Sequence, residues 1–186
     1  MSSRRGAVAF VAALASACAA PGPRSPAAHP DEGLPERASV TLGPELCGNA
    51  LDDNGNGLAD EGCGTTTSAV SFMAAWDEPN ADVDLRVTDP NGELVEVGRP
   101  SESGLVRERD CPGRDGECRG KNLESVYQEQ GTPAPGKYAV RILLVSLGGA
   151  EPPVRVHFSA RLGARSYAAN VTLTRVESDW QGVFVL

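Results

Sequence analysis

The 186-residue chain takes 40% of its residues from the hydrophobic set but only 5% from the aromatics, so a core must come mainly from Val, Leu and Ala. Its 21 Gly and 14 Pro suit short strands joined by turns rather than long helices. A formal charge of −8 repels phosphate backbones and argues against nucleic acid as a partner, and no apolar run approaches the ~18 residues that span a bilayer.

Residues 1–17 have the layout of a secretory signal peptide. Arg4 and Arg5 form a positive start, residues 6–15 a short apolar stretch, and small residues lead up to Cys18. Leu14-Ala15-Ser16-Ala17-Cys18 resembles the lipobox of bacterial lipoproteins, with Ala15 standing where Leu is commonest. The resemblance implies cleavage before Cys18, acylation of its thiol and an extracytoplasmic, membrane-held protein, the outer membrane being favoured. Several acyl chains at ~0.8 kcal/mol per buried methylene make such an anchor permanent. Ordinary cleavage without lipid is the alternative. Loss of residues 1–17 leaves 15 basic residues against 25 acidic ones, a charge of −10. Residues 18–46 read as a tether, because Pro21, Pro23, Pro26, Pro30, Pro35 and Pro44 keep a stretch with little apolar surface extended.

Export makes disulfides the default for the cysteines that follow. Lipidation of Cys18 would remove the odd one of five, and the remaining four form two local pairs. Cys47 with Cys63 and Cys111 with Cys118 each bracket a polar, Gly-containing loop, although four cysteines allow three connectivities.

The segment 47–64 holds the densest motif. Asp52, Asn54 and Asn56 alternate ahead of Gly57, Leu58, Asp60 and Glu61. That spacing matches the first nine positions of a calcium loop, in which alternating side chains and one backbone carbonyl, here that of Leu58, converge around a tight glycine turn. Cys63 occupies the twelfth position, so no EF-hand is expected. The run also resembles the Cys-bracketed repeats C-x-N-x-x-D-D-x-x-x-G-x-x-D-E-x-C of exported myxobacterial proteins, and the acidic loops of dockerins and thrombospondin type 3 repeats. That resemblance implies metal binding, and oxygen donors without His or Met favour calcium over copper. An ion-free loop of Asx turns is the alternative.

From residue 69 to the end, hydrophobicity alternates. Val70, Phe72, Ala74 and Trp76 form one face of a strand; Val83, Leu85 and Val87 form another, followed by the turn Asp89-Pro90-Asn91-Gly92 and a short return over Leu94–Val97. Residues 98–135 show little alternation and are expected to be an ordered excursion across one end. Tyr138–Leu147 is apolar on both faces and reads as a central strand. Val154–Leu162 and Tyr167–Leu173 alternate, and Val183–Leu186 closes an edge. Seven or more short strands predict an all-β antiparallel sandwich, jelly-roll-like, over residues 69–186. WDEPNADVDLRVTDPNGELV, GKNLESVY and PAPGKYAVRILL resemble a bacterial extracytoplasmic domain carrying DVDLHVxDPNG, GPENI and PAPGxYxVxV, with Arg86 replacing the usual His. That family has no settled function. The related pre-peptidase carboxyl-terminal sandwiches imply a binding or accessory role.

Asp77, Asp82, Asp84 and Glu124 are candidates for a second calcium site; the preferred alternative places Asp82 and Asp84 on a solvated face, paired with Arg86 or Arg141. Of two histidines, His29 lies in the tether and His157 on the polar face of a strand. No nucleophile–base pair or phosphate-binding motif occurs. The expectation is a non-enzymatic binding or structural module for a protein or glycan partner, the alternative being a carboxylate-dependent hydrolase or an accessory subunit of one.

Overall fold

Alternation lays down the strands between residues 70 and 185. The computed structural model describes residues 44–112, 118 and 122–186; the expected signal peptide, Cys18 and the tether up to residue 43 lie outside them. Among the described residues none is helical. The strands are β1 (Val70–Trp76), β2 (Asp82–Thr88), β3 (Leu105–Arg107), β4 (Leu123–Gln128), β5 (Lys137–Ser146), β6 (Val154–Leu162), β7 (Arg165–Leu173) and β8 (Asp179–Val185). They form two antiparallel sheets of unequal width, β3-β4-β1-β6-β7 and β2-β5-β8.

The core lies between the sheets. Phe72 and Ala74 of β1, with Val156 and Phe158 of β6, meet Val83 and Leu85 of β2, Tyr138 and Ile142 of β5 and Phe184 of β8. Phe72 sits 5.8 Å from the Tyr138 ring and 5.7 Å from that of Phe184, and Phe158 lies 5.1 Å from Trp180. The few aromatics of the chain are concentrated here, and Val and Leu fill most of the remaining space between the sheets.

The outer face of β1 is buried as well. Met73 and Ala75, with Leu123, pack beneath Ala50 and the partly buried Ala59 of the Cys-bracketed loop. The loop therefore forms a lid on the larger sheet. This explains why Met73 and Ala75, on what the alternation marks as the polar face of β1, are small or apolar.

The structure corrects three local expectations. The stretch 98–135 is not solely an excursion, because it supplies β3 and β4 to the larger sheet. Alternation is masked there because Glu124 and Gln128 take inward positions on either side of Val126. Leu94–Val97 forms isolated bridges to Thr88 and Arg107 rather than a strand. The Asp89–Gly92 turn returns the chain far enough for Val95 N–H to reach Val87 carbonyl at 2.9 Å, and it then diverges. β5 is central in its sheet, but Lys137 and Ala139 on its outer face are exposed.

Phe72→Ala removes a fully buried ring at the meeting point of both sheets. It should cost about 3–5 kcal/mol in urea denaturation. Val145→Ala, on the exposed face, should stay within ~0.5 kcal/mol.

Candidate functional site

Three closures shape the Cys-bracketed loop. Cys47 and Cys63 form a disulfide with their Cα atoms 5.2 Å apart. Asp60 is fully buried with φ +53, and its carboxylate accepts N–H groups from Gly48 at 2.5 Å, Asn49 at 3.4 Å and Ala50 at 2.7 Å. Successive amides pointing inward make an anion nest, and Asp60 fills it. Glu45 braces the far side, its two oxygens accepting the amides of Asn54 at 3.0 Å and Asp60 at 3.1 Å.

Inside this frame Asp52 organises the turn. Its Oδ1 accepts from Gly55 at 2.6 Å and Asn56 at 3.0 Å, and its Oδ2 from Gly57 at 2.8 Å. Asn54 and Asn56 each accept the amide two residues onward, at 3.0 and 2.8 Å, the second from Leu58, so both close Asx turns. Their side-chain amides converge on one oxygen, Glu61 Oε1, at 2.5 Å each. The other oxygen, Glu61 Oε2, is buried and has no hydrogen-bond partner among the described residues. Of the six loop residues expected to gather, the structure thus brings together Asp52, Asn54, Asn56 and Glu61 around the turn that contains Leu58. Asp60 is instead committed to the amides of residues 48–50.

The loop is fixed to the sheet by polar contacts from β6 and β7. Gly57 carbonyl accepts from Arg161 Nη1 at 3.1 Å and Ser166 Oγ at 2.7 Å, and His157 Nδ1 lies 3.2 Å from Asn49 carbonyl. Gly57 has φ +88, and a Cβ there would press on Ser166 Oγ at 3.2 Å, so both the turn and the docking require glycine. Asp52, Leu58, Met73, Arg161 and Tyr167 help line a small cavity between loop and sheet.

The second group of acids divides. Asp77 pairs with Arg155, at 3.2 Å to the guanidinium and 3.0 Å to its amide. Asp82 and Asp84 meet Asp110 rather than Asp77. Burial first, then the charges of Asp84 and Asp110, push the Asp82 carboxyl up, opposed by Arg107. Asp84 takes Arg86 at 2.6 Å, as the paired alternative expects, but it is buried rather than on a solvated face because Arg107 covers it at 3.2 Å. Arg141 pairs instead with Asp179 at 2.6 Å. Sequence reasoning did not find Arg107 or Asp110, since both lie in the stretch without alternation.

Glu124 is fully buried. Its Oε2 accepts Leu85 N–H at 2.7 Å and Arg107 Nη2 at 2.6 Å, and its Oε1 accepts Cys111 N–H at 3.0 Å. It thereby joins β4 to β2, to β3 and to the start of the loop closed by the Cys111–Cys118 disulfide. Burial outweighs the favourable contacts from Arg107, Leu85 and Cys111 and pushes its carboxyl up to about 8. Arg107 is held above the ordinary guanidinium value by Glu124, Asp84 and Asp110, against its own burial. Asp77, Asp84 and Glu124 are thus bound up with arginines and backbone amides, as structural groups are. No protein-family model, curated protein or solved structure matches the chain.

Glu124→Ala should cost about 3–5 kcal/mol, because it strands Arg107 and two amides. A carboxyl whose folded pKa is raised binds its proton more tightly in the folded state. Its stabilising contribution is therefore complete below about 4.5 and is lost as pH rises through about 8. Thermal melts across that window should fall with pH in the parent and be flatter in Glu124→Gln. Parallel profiles in the two proteins would contradict this.

Proposed function

We propose that the chain is a lipid-anchored, extracytoplasmic protein of the bacterial cell envelope. Calcium would stiffen the loop between tether and sandwich, and the sandwich would be a binding or structural module for a protein or glycan partner rather than an enzyme. Glu61 Oε2, buried and without a hydrogen-bond partner among the described residues, carries the calcium reading, because its sister oxygen gathers Asn54 and Asn56. Asp52, Asn54, Asn56 and Glu61 would hold the ion, each amide bearing an oxygen on the group that here donates. Two neutral ligands among four imply an affinity on the order of 10⁻⁴–10⁻³ M, as in extracellular modules. The bound ion would neutralise Glu61 and tighten the turn whose Gly57 carbonyl docks on β6 and β7.

Two disulfides support an oxidising compartment. The lipobox-like run supports the anchor. The committed state of Asp84 and Glu124 supports a structural role for those acids over hydrolysis.

Calcium at about 10 mM should stabilise the protein by ~1.4–2.7 kcal/mol, read as a rise in Tm. Glu61→Gln should remove most of that rise. Asp60→Ala should instead lower Tm by similar amounts with and without calcium, since it empties the nest. A parent Tm unmoved by calcium would defeat the reading. The anchor has its own test: cells expressing the parent should retain the protein in the membrane fraction with an acyl-sized mass increment. Cys18→Ala should release it without that increment, and an unacylated parent would argue for ordinary cleavage.

A further inference from the structure

The two disulfides stand in unlike surroundings. Cys111 and Cys118 are buried members of the main core between the sheets, so a reagent reaches their sulfurs only when the sandwich itself opens. Cys47 is exposed and Cys63 half-buried, and neither belongs to a core cluster. A disulfide at the surface is the one that a thiolate can attack in the folded protein. The Cys47–Cys63 bond also closes a unit that can part from the sheet on its own. The loop rests there on a small apolar patch, Ala50 and Ala59 against Met73, Ala75 and Leu123, and on the Asn49 and Gly57 carbonyls. Beside the aromatic packing between the sheets these contacts are slight, which places the loop among the segments that open first.

The charges around Cys47 select among thiols. Asp53 takes the Leu46 N–H at 3.2 Å and Asp60 that of Gly48 at 2.5 Å, so a carboxylate stands on either side of Cys47. The segment from Glu45 to Glu61 contains no Lys or Arg to offset them. An anionic reagent approaching this end of the loop is repelled. We infer that Cys47–Cys63 is a thiol-exchange site, opened in the folded protein by a thiol that carries no negative group, and that its opening frees the loop from the larger sheet while the sandwich persists. The attacking thiolate bonds to the Cys47 sulfur, the S–S bond breaks, and Cys63 leaves as a thiolate that takes a proton from solvent. A second thiolate of the reductant then attacks the mixed disulfide and displaces Cys47, which is protonated in turn. Two electrons pass to the protein, and the reductant ends as its own disulfide.

This inference is independent of the anchor and of calcium. The purified full chain, treated with dithiothreitol at about pH 8 without denaturant and then alkylated, should be modified at Cys47 and Cys63 roughly tenfold or more faster than at Cys111 and Cys118. Peptide mass spectrometry reads each cysteine separately. After that first reduction, amide hydrogen exchange should quicken across residues 48–61 and stay unchanged in β5. At low salt, cysteamine should react about tenfold faster per thiolate than mercaptopropionate, and the ratio should shrink as salt is added. Reduction of both pairs together, or of Cys111–Cys118 first, overturns the site. A loop that keeps its protection once reduced overturns the release, and equal rates for the two thiols overturn the selection by charge.

Discussion

The structure depends on one donor that has no sheet partner. A sandwich of five strands against three leaves β2 as an edge, and Leu85 presents an N–H there within the protein rather than to water. An unsatisfied buried amide is costly, and among the described residues no strand takes it. Glu124 reaches across from β4 to accept it at 2.7 Å. Burial of the Glu124 carboxyl is itself costly, and Arg107 and the Cys111 amide offset part of that cost. Asp84 and Asp110 then hold Arg107 from the other side. One edge amide thus accounts for the polar cluster between the sheets, and for where β3 and the second disulfide loop attach.

The same logic separates the acids. A carboxylate facing backbone amides or arginines is committed to the fold, and Asp60, Asp77, Asp84 and Glu124 all are; Asp52 likewise accepts three amides, which shape the turn. Glu61 differs, with one oxygen crowded by two amides and the other buried without a hydrogen-bond partner among the described residues. That contrast, more than the count of acids, selects where an ion would sit. The loop holding it also covers Met73 and Ala75, so a cation bound there would act on the packing of the larger sheet.

The sequence by itself determined the strand faces and the loop. Val70, Phe72, Val83, Leu85, Val156 and Phe158 alternate with a period of two because a pleated strand shows successive side chains to opposite sides. Cys47 and Cys63 lie close in sequence around a Gly-rich turn, so their pairing is a local matter, as is the Asx chemistry of Asp52, Asn54 and Asn56. Tertiary structure alone decided β4, where inward Glu124 and Gln128 break the alternation. Their partners, Leu85 and Ser103, stand 39 and 25 residues away. It also decided which neighbour of the Asp60-Glu61 pair faces the turn, since that depends on the nest formed by residues 48–50. Local spacing records what a residue does to its own backbone, whereas a buried charge is placed by groups that only folding brings within hydrogen-bonding reach.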